Sequence, residues 1–191
     1  MTRIFIASTI PGVVREAVGR AMHPLRDKLP EASWTKTETY HLTYAFLGDQ
    51  EESRLPPVYE ALEGRLAGTN GIAARFADAG FFPSMARPRV GWIALEPAEL
   101  ISSIAVEVRA ALEECGVAFE AKPFTPHLTL VRPRTRWRAR DCDRFAAATA
   151  DIASREFRIE SVSVFSSKLS PNGARHDELR RIPFTSEIGG Q

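Results

Sequence analysis

The sequence predicts an α+β fold of two pseudo-twofold-related lobes. Each is an antiparallel sheet with helices, and a cleft lies between them. Three observations predict it. The tripeptide His-Leu-Thr occurs twice, at His41-Leu42-Thr43 and His127-Leu128-Thr129, 86 positions apart. Each copy follows a helical stretch and a short extended piece, as in a diverged duplication. Several neighbouring strands are joined by short turns, which favours antiparallel sheets over a doubly wound parallel one.

Taken in order, Arg3–Ser8 reads as a first strand. Val14, Val18, Met22, Leu25 and Leu29 recur at helical spacing, which predicts a helix over 12–29 ended by Pro30. Trp34–Thr37 is a short extended piece. The first motif strand is predicted at 40–47, with Gly48 breaking it. Asp49 and Glu52 resemble a capping box before a helix lined by Leu55, Val58, Tyr59, Leu62 and Leu66 and closed by Gly68. Strands are predicted at 72–82 and 89–96. Pro97 then opens a helix with the stripe Ile101, Ile104, Val108, Leu112 and Cys115, ended by Gly116. Val117–Glu120 reads as a strand, 124–131 as the second motif strand and 138–150 as a helix. Glu156–Lys168 reads as one strand. A turn at Pro171-Asn172-Gly173 leads to a last strand at Glu178–Phe184, and the tail after Ser186 is expected to fray.

Composition bounds the function. The chain has 191 residues, 44% of them hydrophobic, and a formal net charge of +1, so bulk charge selects no partner. Cys115 and Cys142 are isolated, without metal-type spacing, and no disulfide framework is implied. No stretch has the length and apolarity of a membrane span. A single domain over 1–191, monomeric and cytoplasmic, is expected.

The motifs carry the chemistry. In a strand, residues i and i+2 share a face, so each copy presents an imidazole beside a hydroxyl: His41 with Thr43, and His127 with Thr129. Two imidazoles can hold opposite protonation states near neutrality. One can take a proton from water while the other gives one to a departing alkoxide. Threonine hydroxyls can donate to the nonbridging oxygens of a phosphate as charge builds there. This division of labour requires no metal. A zinc site would want three or four His, Cys or carboxylate ligands, and neither cysteine is near a motif in sequence.

With these motifs in place, the chain resembles the two-histidine phosphoesterases, and among them the RNA 2′,3′-cyclic phosphodiesterases, also called 2′-5′ RNA ligases. The His-x-Thr-x motif is matched at 41–44 and 127–130. The framing matches are Arg3-Ile4-Phe5-Ile6-Ala7, Trp34, Phe46-Leu47-Gly48, Phe81-Phe82-Pro83 and Arg89-Val90-Gly91-Trp92. Phe124, Pro126, Arg132, Ser167, Leu169 and Gly173 extend the match along most of the chain. The resemblance implies a bilobal α+β fold, no cofactor and no metal. It implies hydrolysis of a 2′,3′-cyclic phosphate end to a 2′-phosphomonoester, with His41 as general acid and His127 as base. Reverse 2′-5′ ligation follows by microscopic reversibility. The substrate would be RNA with a cyclic phosphate end, such as tRNA fragments or short oligonucleotides. A phosphodiesterase of a small cyclic nucleotide, or an RNA-binding module without turnover, are the alternatives. His176 stands where relatives often have Tyr.

Three further features bear on substrate binding. Arg132 follows the second motif where the family has an arginine. It lies an odd number of residues from Thr129, so a regular strand would turn it to the other face, and reaching the phosphate requires a bend. Phe46 reads as core or as a base platform, core being the plainer expectation. Arg132, Arg134, Arg136, Arg138 and Arg140 surround Trp137. The run reads as a solvated loop or as an RNA track: basic residues before a helix oppose its dipole, RNA phosphates would offset that, and Trp137 could stack a base.

Overall fold

The structure is a computed structural model and describes residues 1–150, 152, 155–170 and 173–185. Nine strands and four α-helices are found among them. They run β1 (Thr2–Thr9), α1 (Gly12–Met22), β2 (Ala32–Trp34), β3 (His41–Gln50), α2 (Leu55–Leu66), β4 (Ile72–Ser84) and β5 (Arg87–Glu96). Then follow α3 (Ala98–Glu114), β6 (His127–Pro133), α4 (Ala139–Ala150), β7 (Glu156–Ile159), β8 (Ser161–Ser170) and β9 (Gly173–Pro183).

Two antiparallel sheets result, ordered β3-β1-β8-β9 and β2-β6-β5-β4-β7. The pseudo-twofold relation is visible in that order. Each motif strand pairs with the strand that precedes its lobe's helix, β3 with β1 across α1 and β6 with β5 across α3. Each sheet is then continued by a strand from the other half of the sequence. β8 joins the first sheet and β4 the second. One continuous core serves both sheets and all four helices, from Ile4 and Ile6 in β1 to Ile93 and Leu95 in β5. Phe5 and Ala7, which alternate with those β1 residues, form a separate cluster with Phe165 on the opposite face.

Several predicted boundaries move. α1 stops at Met22, because Pro24 has no N–H and its ring opposes a further α-turn; His23–Leu25 tightens into one 3₁₀ turn. Leu25 and Leu29 still reach the core. The extended piece before β3 is β2, followed by a 3₁₀ turn at Thr37–Thr39. Gly48 does not end β3. It adopts φ of 69°, which suits glycine, and the strand continues to Gln50. No capping box forms at Asp49; a turn at Glu52–Arg54 intervenes, and α2 starts with proline in its first turn.

Val117–Glu120 is a loop rather than a strand. The Val117 N–H closes α3 on the Leu112 carbonyl, and the Glu120 N–H donates to the Phe46 carbonyl. The Arg109 guanidinium lies 5.9 Å from both Phe119 and Phe124 and donates to the Lys122 carbonyl. That loop leads directly into His127. Glu156–Lys168 is two strands in different sheets, parted at Glu160. β9 starts earlier than predicted, at Gly173. The turn residues Pro171 and Asn172 and the tail from Ser186 lie outside the described residues. No described helix is long and apolar enough to cross a membrane.

Candidate active site

His41 and His127 are each the first residue of a motif strand, and β3 contacts β6. Over six residues the two strands share one burial pattern. The histidine and threonine are half-buried, the leucine between them is buried, two buried residues follow, and then an exposed one. The two consecutive buried residues mark a β-bulge in each. In the β3–β1 ladder Thr43 pairs with Ala7 and Ala45 with Ile6, leaving Tyr44 extra. In the β6–β5 ladder Thr129 pairs with Trp92 and Val131 with Gly91, leaving Leu130 extra.

An extra residue reverses the strand's alternation. Phe46 and Arg132, at equivalent positions, therefore return to the face of their histidine and threonine. This is the bend that Arg132 requires, and its charge is felt at His127. Phe46 is corrected from core to surface: it is 46% exposed and lies 6.1 Å from Phe5.

Both imidazoles are oriented in the same way. His41 Nδ1 is 2.6 Å from the Thr39 carbonyl, and His127 Nδ1 is 2.7 Å from the Thr125 carbonyl. A carbonyl only accepts, so Nδ1 carries the proton and Nε2 keeps its lone pair in the neutral ring. Burial, partly opposed by the Thr39 carbonyl, pushes His41 down to about 4; the charges of His176 and His127 act in the same direction. Burial also lowers His127, against the Thr125 carbonyl and with the help of Arg132. Both rings are thus neutral at pH 7 in the free protein.

Aromatic side chains build the walls. Phe5, stacked on Phe165 at 5.2 Å, is the floor under His41, with ring centroids 4.9 Å apart. His176 of β9 meets the same Phe5 at 4.9 Å and His41 at 5.4 Å. In the other lobe, Phe82 and Trp92 flank His127 at 5.0 and 5.9 Å. Trp92 can lie there because Gly80 has no side chain; a Cβ on Gly80 would come within 2.2 Å of its ring. The sequence carried Phe5, Phe82 and Trp92 only as framing matches. Their packing on the histidines depends on cross-strand register, which alternation alone does not give.

Trp137 does not stack a base from the arginine run. It is 3% exposed, packs against Trp34, Phe81 and Phe145, and its indole N–H donates to the Pro30 carbonyl. The helix dipole at α4 is offset internally: the Asp141 carboxylate accepts the Arg138 N–H at 2.9 Å. The arginines themselves are exposed. Arg134 pairs with Glu31 at 3.6 Å and Arg140 with Asp141 at 3.8 Å. Among the described residues no three His, Cys, Asp or Glu side chains gather as metal ligands.

Two strand-exchanged sheets, each presenting a His-x-Thr pair, are the architecture of a two-histidine phosphoesterase. A family model described as LigT like Phosphoesterase matches the chain twice, over residues 10–92 and 93–176. The chain belongs to that family. An RNA 2′,3′-cyclic phosphodiesterase of Thermus thermophilus is 32% identical over 197 residues, 98% of this chain and 92% of its own. One of Thermotoga maritima is 27% identical over 185 residues, 95% of either chain. One of Geobacillus stearothermophilus is 28% identical over 128 residues; the match spans 67% of this chain but 41% of that protein's length. Among solved structures, TT0787 of Thermus thermophilus superposes with a TM-score of 0.76 at 26% identity, over 97% of this chain and 99% of that one.

Proposed function

We propose that this chain is an RNA 2′,3′-cyclic phosphodiesterase. The observation that carries the reading is the pair of equivalent imidazoles, each with Nε2 free and a threonine beside it, one from each lobe. The name shared by near full-length relatives supports the substrate class. In the reaction, His127 Nε2 takes a proton from water as the water oxygen bonds to phosphorus. The bond from phosphorus to the 3′ oxygen breaks, and protonated His41 gives its Nε2 proton to that oxygen. The products are a 2′-phosphomonoester and a 3′ hydroxyl. Arg132 suits the base assignment, because a permanent cation beside His127 keeps it neutral. His41 gains its proton as the anionic phosphodiester arrives, since an adjacent negative charge favours imidazolium. Thr43 and Thr129 donate to the nonbridging oxygens, and Arg132 balances their charge.

Phe46 supports a terminal base from the His41 side. The exposed arginines after β6 make RNA, rather than a small cyclic nucleotide, the fitting substrate. No step needs a metal, and the ligation of a 2′-5′ bond is the same path reversed. The reading takes the whole chain as one domain, monomeric and cytoplasmic; the exchange of β4 and β8 between sheets supports the single domain.

The test is purified protein, exhaustively chelated, with a short RNA ending in a 2′,3′-cyclic phosphate. The expected product is the 2′-phosphate. An unchanged RNA rejects the activity, and a 3′-phosphate product rejects the direction of opening. Loss on chelation with recovery on added zinc or manganese rejects metal independence.

A further inference from the structure

The site holds a third imidazole. His176 meets His41 at 5.4 Å with the rings 84° apart, and meets Phe5 at 4.9 Å with the rings 74° apart. It comes from the far edge of the sheet: β9 is separated from β3 by β1 and β8. His41 and His127 each have a carbonyl that fixes Nδ1. The Nδ1 of His176 is buried without a hydrogen-bond partner among the described residues. Its protonation is therefore governed by burial, which disfavours the charged ring, and by nearby charge rather than by a bonded partner.

We propose that His176 is a positioning residue for the reaction: it packs His41 edge-on and, through its own charge, disfavours a proton on His41. This rests on the acid role given to His41 above. Two imidazoliums this close repel, so a proton on His176 disfavours one on His41. Their titrations are coupled, and each responds to the other. His41 responds to His176 in this sense.

Arg175 and Asp177 flank His176 on β9; Asp177 is held by Arg175 at 2.9 Å and by Lys168 of β8 at 4.0 Å. Asp177 raises His176 against the lowering caused by burial. Glu178 is engaged by Arg181 and Ser163. On β1, Arg3 alternates with Phe5 on the same face, and on β6 His127 adds its charge at His41.

The experiment is an NMR titration of the His41 ring in the full chain without substrate, for the wild type, His176→Phe and His176→Gln. Phenylalanine keeps an aromatic edge and loses the charge; glutamine loses both ring and charge. In the wild type, His41 should titrate over a broader pH range than a single step. In both variants its midpoint should rise by roughly half a unit or more, and the curve should sharpen to a single step. The alkaline limb of RNA hydrolysis should move up with it. A His41 midpoint that stays put in both variants, or rises in only one, overturns the proposal, because charge loss is common to both. The ring titration reads out without turnover. An inactive wild type would thus reject the phosphodiesterase reading and leave this measurement intact.

Discussion

Each motif histidine owes its form to a carbonyl two residues earlier in the chain. The short turn at Thr37–Thr39 aims one carbonyl, and the loop pinned by Arg109 ends with the other at Thr125. That geometry fixes which nitrogen is free, and burial fixes that both rings are neutral. The His41 shift has a consequence for stability. The unfolded chain binds a proton at His41 near 6.5 and the folded chain only near 4. Between those values the unfolded state binds more protons, so stability rises with pH across the window and falls on acidification. Thermal melts from pH 7 down to pH 4 should show that loss, and His41→Asn should make the decline shallower. An unchanged slope in the variant would remove His41 from the titrating groups. The identities of His41, Thr43, His127 and Thr129 were legible in the sequence because two copies of one tripeptide stood out. The third imidazole was not. Only the strand order, which sets both rings on Phe5 of β1, brings His176 to His41.

At the scale of the element, the two bulges decide what the site contains. Alternation read from sequence places Arg132 on the wrong face, and no local residue type announces the extra residue at Leu130. The bulge belongs to the pairing with β5, a long-range fact. A second element-level device is the β4–β5 pair. Gly80→Ala would drive a Cβ into Trp92, and the ring must move from its place beside His127. Overpacking of this kind costs about 1–3 kcal/mol, and a displaced general base costs about tenfold or more in kcat/KM. Melting and RNA hydrolysis measured together should both fall. Normal hydrolysis would mean that Trp92 does not hold His127. The stretch after β6 gives a third test. Replacing Arg134, Arg136 and Arg138 with Gln should flatten the salt dependence of oligonucleotide binding. Hydrolysis of a cyclic mononucleotide should change little. An unchanged salt slope would mean that RNA does not follow these arginines. With Trp137 in the core, this stretch offers a base no indole to stack on.

The whole molecule is a duplication in which each half lends strands to the other's sheet. The α+β class and the paired motifs were legible because helical stripes, strand stretches and the repeated tripeptide are local signals. The strand exchange was not, because it is hidden where Glu156–Lys168 reads as one strand and passes between sheets at Glu160. The exchange sets β3 against β6, with the charge of His127 felt at His41, while leaving the surroundings of the two rings different. His41 sits on Phe5 with His176 beside it, and His127 sits between Phe82 and Trp92 with Arg132 beside it. A near-symmetric scaffold can thus divide an acid from a base.

That division is the central claim, and the leaving group tests it most directly. A ribose alkoxide needs a proton as the bond breaks; a nitrophenolate does not. On cyclic-phosphate RNA, His41→Ala and His127→Ala should each lose about 10²- to 10⁴-fold in turnover. On a 3′-deoxynucleoside 2′-phosphate nitrophenyl ester, bound with its leaving group beside His41, the His41→Ala variant should recover most of its rate. The His127→Ala variant should stay slow, because water still lacks its base. Recovery in His127→Ala instead would reverse the roles, and near-normal turnover of the RNA by either variant would contradict the two-histidine mechanism itself.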